Sequence, residues 1–399
     1  METTITLIAH FVVLFKQLHL LMEARNLWTL AAMTALLLKG KCAHLYELGK
    51  ALPCKGKPES RVQKLRRWVS NPTITPEQSI EARLTLLAPI LSHRSELTLI
   101  IDRTEWTRLG MHINLFLCSI AFNGRSFPIF WILLSKRGCS SLDDQQALLT
   151  PVLTALAMHS TLAHIPPTVV ADREFCSPKL GKWLKGLGIH WAIRVKKSYR
   201  VSRSDIPSIP LSLFFAHCQM GTYYFFPNLL LTTEHQFRVH VVLYWRPDCQ
   251  EPLALITDLD EARAVEACYH ERMFIETLNR DLKSSGYDIE RGRMTDAKRL
   301  ENFLIPISFA YILSVIQGYV EELKHPLPPL HKRRLSLFTQ AKHRFNDLFD
   351  RTALTITMAF FQQFFHFLTT LLFQKIPEDA TMLFQRFAQQ QRILLQQVT

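Results

Sequence analysis

Four side chains in one short segment could do chemistry together. Tyr269, Arg272, Glu276 and Lys283 lie within residues 261–285, a stretch rich in helix formers and free of Pro, which predicts a helix turning about 100° per residue. Offsets of three, seven and fourteen residues from Tyr269 then fall at about 300°, 340° and 320° around the axis, a sector roughly 60° wide. One acid flanked by two cations and a phenol on a single stripe suits a metal-binding carboxylate with phosphate-gripping neighbours. A solvated mixed-charge face is the competing reading, because Glu276 and Arg280 also form an ordinary i,i+4 pair.

Two further acids lower the weight of that reading. Thr98-Leu99-Ile100-Ile101-Asp102 and Thr168-Val169-Val170-Ala171-Asp172 are short apolar, β-branched runs ending in an aspartate, the pattern of a buried strand with an acid at its tip. Strand tips are where open α/β sheets place their chemistry. Two strand-end aspartates and a helical glutamate make a three-carboxylate site, which is unfavourable unless divalent cations occupy it. Hard oxygen ligands with open coordination positions select Mg²⁺, with Mn²⁺ as the alternative. Two such ions on a phosphodiester activate water or a 3′-hydroxyl and stabilise the leaving oxygen.

The spacing Tyr-x2-Arg-x3-Glu-x6-Lys is met at Tyr269, Arg272, Glu276 and Lys283, downstream of Ile101-Asp102-Arg103-Thr104-Glu105-Trp106 and Ala171-Asp172-Arg173-Glu174-Phe175. This ordered set resembles the signature of DDE transposases of bacterial insertion sequences, specifically insertion-sequence family four, over roughly residues 97–320. The resemblance implies a cut-and-paste enzyme in which Asp102, Asp172 and Glu276 are catalytic and hold two Mg²⁺ or Mn²⁺ ions. It implies that Tyr269 and Arg272 grip phosphate near the transposon end and that Lys283 contacts the backbone of the end being cut. The implied partners are double-stranded DNA, both transposon ends and target, and a second subunit in a synaptic complex; the implied location is the bacterial cytoplasm, at the nucleoid. Hairpin-forming relatives carry a Trp shortly before the signature tyrosine. Here the nearest is Trp245, read as a core residue. Two other functions remain open: a non-catalytic DNA-binding protein of domesticated transposase origin, and a structure-specific nuclease of the same fold.

Composition agrees. A formal charge of +13 on 399 residues suits a polyanionic partner, and no basic amphipathic anchor or long charge-free apolar span favours a membrane. Residues 7–15 are apolar apart from His10, and residues 356–373 carry six Phe but are interrupted by Gln362, Gln363 and His366; both are expected to be buried helices, the second covering the core or pairing subunits. The eight cysteines form no C-x2-C or Cys/His cluster, as expected of free thiols in a reducing compartment.

The elements that must position these residues follow from periodicity. The expected fold is α/β: a ribonuclease-H-like catalytic domain interrupted by a β-strand-rich insertion, with helical N- and C-terminal domains. Residues 1–92 read as a helical N-terminal DNA-binding domain, with helices over 28–38, 43–52 and 60–70. The third carries Arg61, Lys64, Arg66 and Arg67, either a DNA-reading face or a solvated one; the resemblance favours DNA contact by Arg61, Lys64 and Arg67. Residues 93–196 read as the first part of the catalytic domain, with strands over 97–102, 112–122 and 126–134, a tight turn at Asn123-Gly124, a helix over 144–159 broken at Pro151, a strand to Asp172, a helix over 178–187 and a strand over 191–195. Residues 197–258 read as the β-rich insertion, approached through a basic run in which Lys196 and Lys197 are candidate DNA contacts. Residues 259–325 hold the signature helix and an apolar helix over 304–320 with Pro306 in its first turn. Pro326, Pro328 and Pro329 mark a linker to a helical C-terminal region over 326–399, a candidate for dimerisation. Asp281 falls off the stripe and should point elsewhere. Glu105 and Glu174 read either as partners supporting the metal ligands or as surface turn residues, the latter favoured.

Overall fold

The strands before Asp102 and Asp172 are apolar on consecutive positions, and burial without alternation means a sheet covered on both faces. The computed structural model describes residues 2–40, 42–231, 237–292, 294–324, 336–350, 352, 354–373 and 380–396. Its centre is β1 (Leu97–Arg108), β2 (Met111–Phe122), β3 (Arg125–Leu133), β4 (Pro167–Ala171) and β5 (His190–Arg194). β1, β2 and β3 form an antiparallel meander, while β4 runs parallel to both β1 and β5. Asn123 and Gly124 both have positive φ, 43° and 77°, as the expected turn between β2 and β3 requires.

The strands that follow extend the same sheet. β6 (Arg200–Arg203), β7 (Ile206–Pro210), β8 (Tyr223–Leu231), β9 (Phe237–Tyr244) and β10 (Leu253–Thr257) complete ten strands in the order β3-β2-β1-β4-β5-β10-β9-β8-β6-β7. β10 pairs antiparallel with β5, so the expected insertion is joined to the central strands edge to edge. A strand run expected over 229–233 ends in positions 232 and 233, which lie outside the described residues.

Five helices precede the sheet: α1 (Glu2–Gln17), α2 (Ala24–Leu38), α3 (Leu45–Ala51), α4 (Pro58–Val69) and α5 (Ile80–Leu91). α6 (Leu142–Met158) and α7 (Pro178–Gly186) connect β3 to β5, and the four-residue α8 (Ser212–Phe215) follows β7. α6 runs unbroken through Pro151, correcting the expected break. After α9 (Ala262–His270) and α10 (Phe274–Arg280), the long α11 (Ala297–Lys324) carries Pro306 in its interior. It starts before the apolar run because the Asp296 carboxylate accepts the Arg299 N–H at 2.8 Å, an N-terminal cap that the apolar pattern does not register. α12 (Leu337–Asp350), α13 (Leu354–Phe373) and α14 (Ala380–Gln396) complete the chain. α1 packs on α2 and α13, and α2 on α11, so the two terminal helical regions share one core. Contrary to the expectation of no long apolar span, α11 is, among the described residues, long and apolar enough to cross a membrane, but 94% of its apolar window is buried inside the protein; it is a core helix. The expected linker at Pro326, Pro328 and Pro329 lies outside the described residues. All eight cysteines are unpaired thiols.

Candidate active site

The last registered pair between β1 and β4 is Ile101 with Ala171. Asp102 and Asp172 are the next residue on each strand, so parallel pairing sets the two carboxylates side by side. Asp172 ends its strand as expected, but Asp102 does not: β1 continues paired with β2 to Arg108 and Met111. The polar, alternating Arg103–Arg108 stretch reads as a loop in sequence and is strand because β2 offers its hydrogen-bonding edge.

The segment carrying the other four residues is helical throughout but not one α-helix. α9 gives way to a 3₁₀ turn at Glu271–Met273, then to α10, and Asp281–Ser285 winds as a π-turn. Tertiary ties explain the irregularity: Arg94 holds Glu271 at 2.7 Å, and Arg125 holds Asp281 at 2.8 Å. α9 lies against β4, β5 and β10, and α10 against β1, β2 and β3, so the segment crosses the sheet above the two aspartates.

The convergence centres on Arg272. Its guanidinium, 11% exposed, stands 3.4 Å from Asp102, 3.9 Å from Asp172 and 2.7 Å from Glu276. The three acids thus surround one cation. As they stand, no three acid, His or Cys side chains among the described residues form a metal-ligand cluster; the donors face the guanidinium instead of a common point. Tyr269 is buried, with its phenol against Asp172; burial first, then that carboxylate, pushes its pKa up. Lys283 leaves the stripe where the π-turn begins. Its ammonium reaches the Glu105 carbonyl at 3.1 Å and Glu290 at 3.1 Å, and stands 5.2 Å over the Trp106 ring.

The residues fit a divalent cation on two counts. All candidate donors are hard oxygens, and two buried acceptors have no hydrogen-bond partner: Asp172 Oδ1 and Asn279 Oδ1. Arg194 approaches the former only to 3.8 Å. Asn279 donates from Nδ2 to Asp102 Oδ2 at 3.1 Å and was not singled out by sequence. At ten residues beyond Tyr269 it falls at about 280° around an ideal helix, beside the stripe, so periodicity held the signal.

Asp102 carries the main electrostatic cost. Burial lifts its pKa from 3.8 to about 6, against the opposing pull of Arg272. As pH rises from about 4 to about 6, the unfolded chain releases this proton before the folded one does, so folding stability declines through that window and the full cost is present above it. With chelator present, Asp102→Asn is therefore expected to stabilise the protein at pH 7 by about 1–3 kcal/mol and to do nothing near pH 3. Urea melts at the two pH values would show it; equal shifts at both would refute it.

The neighbouring acids correct one expectation. Glu105 and Glu174 are both held by Arg103, which also donates to Asn114 at 3.0 Å; they form a buttress beside Asp102 in place of free turn residues. Asp281 points away, as expected, into its buried pair with Arg125. Trp245 is half-buried, its indole N–H donating to the Cys249 carbonyl at 3.0 Å. On α4, Arg61 donates to the Leu52 carbonyl at 2.9 Å and Lys64 lies 4.0 Å over the Trp28 ring, while Arg66 and Arg67 are exposed. Lys196 and Lys197 are exposed, the latter paired with Glu251 at 2.9 Å.

Comparison with known proteins gives one result that bears on this geometry. The model of a family described as transposase DDE domain matches residues 93–313, the span from just before β1 into α11. No curated protein matches the chain.

Proposed function

The chain belongs to the DDE transposases, whose family model covers more than half of it, and from that premise we propose that it is a cut-and-paste transposase of the insertion-sequence family-four type, using Asp102, Asp172 and Glu276 as its catalytic triad. Members of the family generally use divalent metal ions and act on DNA. The observation that carries the reading is the meeting of the three acids on the Arg272 guanidinium, two of them delivered by adjacent strand positions and the third by the helical segment above.

Asp102 and Asp172 would hold cations from the sheet side and Glu276 from the helix side, with Asn279 fixing the Asp102 carboxylate. Two Mg²⁺ or Mn²⁺ ions, when bound, supply activation of the attacking oxygen and stabilisation of the leaving one. With the carboxylates engaged, Arg272 would be free to hold non-bridging phosphate oxygens, for which its planar fork is suited. Tyr269, which the resemblance makes a phosphate contact, is buried against Asp172 and would brace that carboxylate instead. The Lys283 ammonium reaches β1 at the Glu105 carbonyl, three residues beyond Asp102, and would face the backbone of a bound end from there. In this reading the signature spacing keeps its meaning although the helix bends.

The remaining parts of the reading are architectural. The five-stranded centre β3-β2-β1-β4-β5 is the ribonuclease-H-like core, residues 197–258 the β insertion, and residues 1–92 and 326–399 the helical flanks, for end binding and pairing of two subunits in a synaptic complex. The protein works in the cytoplasm on nucleoid DNA.

The test is cleavage of duplex DNA carrying the element's own ends, with Mg²⁺, by the parent and by Glu276→Gln. Removing one of three charge-matched ligands is expected to slow cutting by about 10²–10³-fold with end binding within a few-fold of the parent. Parental cutting by the variant would remove Glu276 from the triad, and cutting of branched DNA without regard to terminal sequence would convert the reading to a structure-specific nuclease.

A further inference from the structure

The acid cluster does not account for a group of arginines gathered elsewhere among the described residues. A cavity of about 710 Å³ opens where α3 and α4 face the end of β1 and the 289–303 stretch, lined by His44, Glu47, Arg66, Arg108, Arg291 and Arg299 among others. Four arginines thus share a space with one glutamate, which lies 3.8 Å from Lys50. Arg66 and Arg299 are exposed and enter no ion pair among the described residues. Among the described residues Arg291 pairs with Asp288, at 3.7 Å. Arg108 reaches the Arg291 carbonyl at 3.5 Å, and its Nε is buried without a hydrogen-bond partner. Like charges around one cavity repel, and a groove of one sign attracts a polyanion.

The walls of the groove are fixed to one another. Ala43 N–H donates to the Tyr287 carbonyl at 2.8 Å, and His44 Nε2 lies 3.2 Å from the Asp288 carbonyl. The helical N-terminal wall and the wall that follows the signature segment therefore form a preset channel, which a charged ligand need not organise.

Its position selects the ligand. Arg108 is six residues beyond Asp102 on the same strand, about 20 Å at roughly 3.3 Å per residue. Duplex DNA rises ~3.4 Å per base pair, so a duplex with its scissile phosphate at the carboxylates and its axis along β1 reaches the groove about six base pairs away. We propose that this arginine-lined groove is a backbone-binding site for double-stranded DNA, gripping phosphates about half a helical turn from the bond that is cut. This rests on the transposase reading in that it takes DNA to lie at the carboxylates. It assigns to Arg66, Arg108, Arg291 and Arg299 the contact that the α4 pattern suggested for Arg61, Lys64 and Arg67.

The experiment is fluorescence anisotropy of the full-length protein with a labelled duplex carrying the element's end, and with a random duplex of equal length, over a salt series. Each phosphate contact contributes about 0.9 to the slope of log affinity against log salt. Arg66→Ala/Arg299→Ala is expected to lower that slope by about 1.8 and to weaken both duplexes alike, because phosphate contacts carry no sequence information. Arg66→Lys/Arg299→Lys should restore most of the slope. Both residues are exposed, so thermal melts should coincide with the parent. If the alanine variant keeps the parental slope and affinity, the groove is not a DNA site although the transposase reading stands. If the parent itself binds neither duplex, both fail. If millimolar inorganic phosphate displaces the duplex fully, the site is one for small anions and the proposal is overturned.

Discussion

Asp172→Asn is expected to bind duplex DNA carrying the element's ends as the parent does, but to cut it ~10³-fold more slowly at saturating Mg²⁺, about 4 kcal/mol of barrier. The substitution keeps size and shape and removes the charge. Asp172 sits at the N-terminal edge of a single 3₁₀ turn but does not cap it with its side chain. Its Oδ1 is buried and makes no hydrogen bond, and its Oδ2 lies 3.9 Å from Arg272. Little of the fold therefore depends on the carboxylate, whereas an amide presents N–H donors to a cation in place of a second negative oxygen. Gel assays of strand cleavage, with circular dichroism as the folding control, would decide the matter. A rate within tenfold of the parent would exclude Asp172 from the chemistry.

Asp281→Ala should have the largest effect on stability. Arg125 and Asp281 face each other at 2.8 Å with side chains 7% and 3% exposed. Removing one partner of such a pair strands the other charge away from water, at about 3–5 kcal/mol. Burial pushes the Asp281 pKa up and Arg125 opposes it, so the acid itself gains little from its site; the loss comes from the orphaned guanidinium. Arg125 follows the Asn123-Gly124 turn on β3, and Asp281 follows α10. The pair therefore fastens the glutamate-bearing helix to the sheet, and Asp281→Ala should also loosen metal binding through Glu276. Urea denaturation checks the size of the loss, and an Arg125→Met/Asp281→Leu protein should recover much of it, since apolar replacements of similar volume can match a buried ion pair. If the single variant is as stable as the parent, the pair does not hold the helix in place.

Much of the site was legible because its signals are local. Asn-Gly demands positive φ, and the apolar runs ending in Asp102 and Asp172 fix strands whose ends sit in register. The stripe arithmetic brought Tyr269, Arg272 and Glu276 to one place, and correctly sent Asp281 elsewhere. It did not foresee the Lys283 contacts with Glu105 and Glu290, because Glu, Arg, Met and Leu all favour an α-helix and nothing local announces the 3₁₀ and π-turns in this segment. The same limit hid the continuity of β10 with β5, which depends on partners far apart in sequence. It also hid the basic groove: of the α4 cations, Arg61 and Lys64 are tied to a carbonyl and an indole, and only the tertiary placement of α4 turns Arg66 toward Arg108 and Arg299. Asn279 was overlooked for a different reason, since a neutral amide carries no charge signal even when it lies beside the stripe.

The most direct measurement is the Mn²⁺ stoichiometry and affinity of the purified protein, by calorimetry or electron paramagnetic resonance, for the parent and for Asp102→Asn, Asp172→Asn and Glu276→Gln. The account predicts two ions bound by the parent in the presence of end DNA, and in each variant the loss of at least one ion or an affinity lower by about 10²-fold. Equal stoichiometry and affinity in all four proteins would contradict it, because the three carboxylates would then share nothing but a guanidinium.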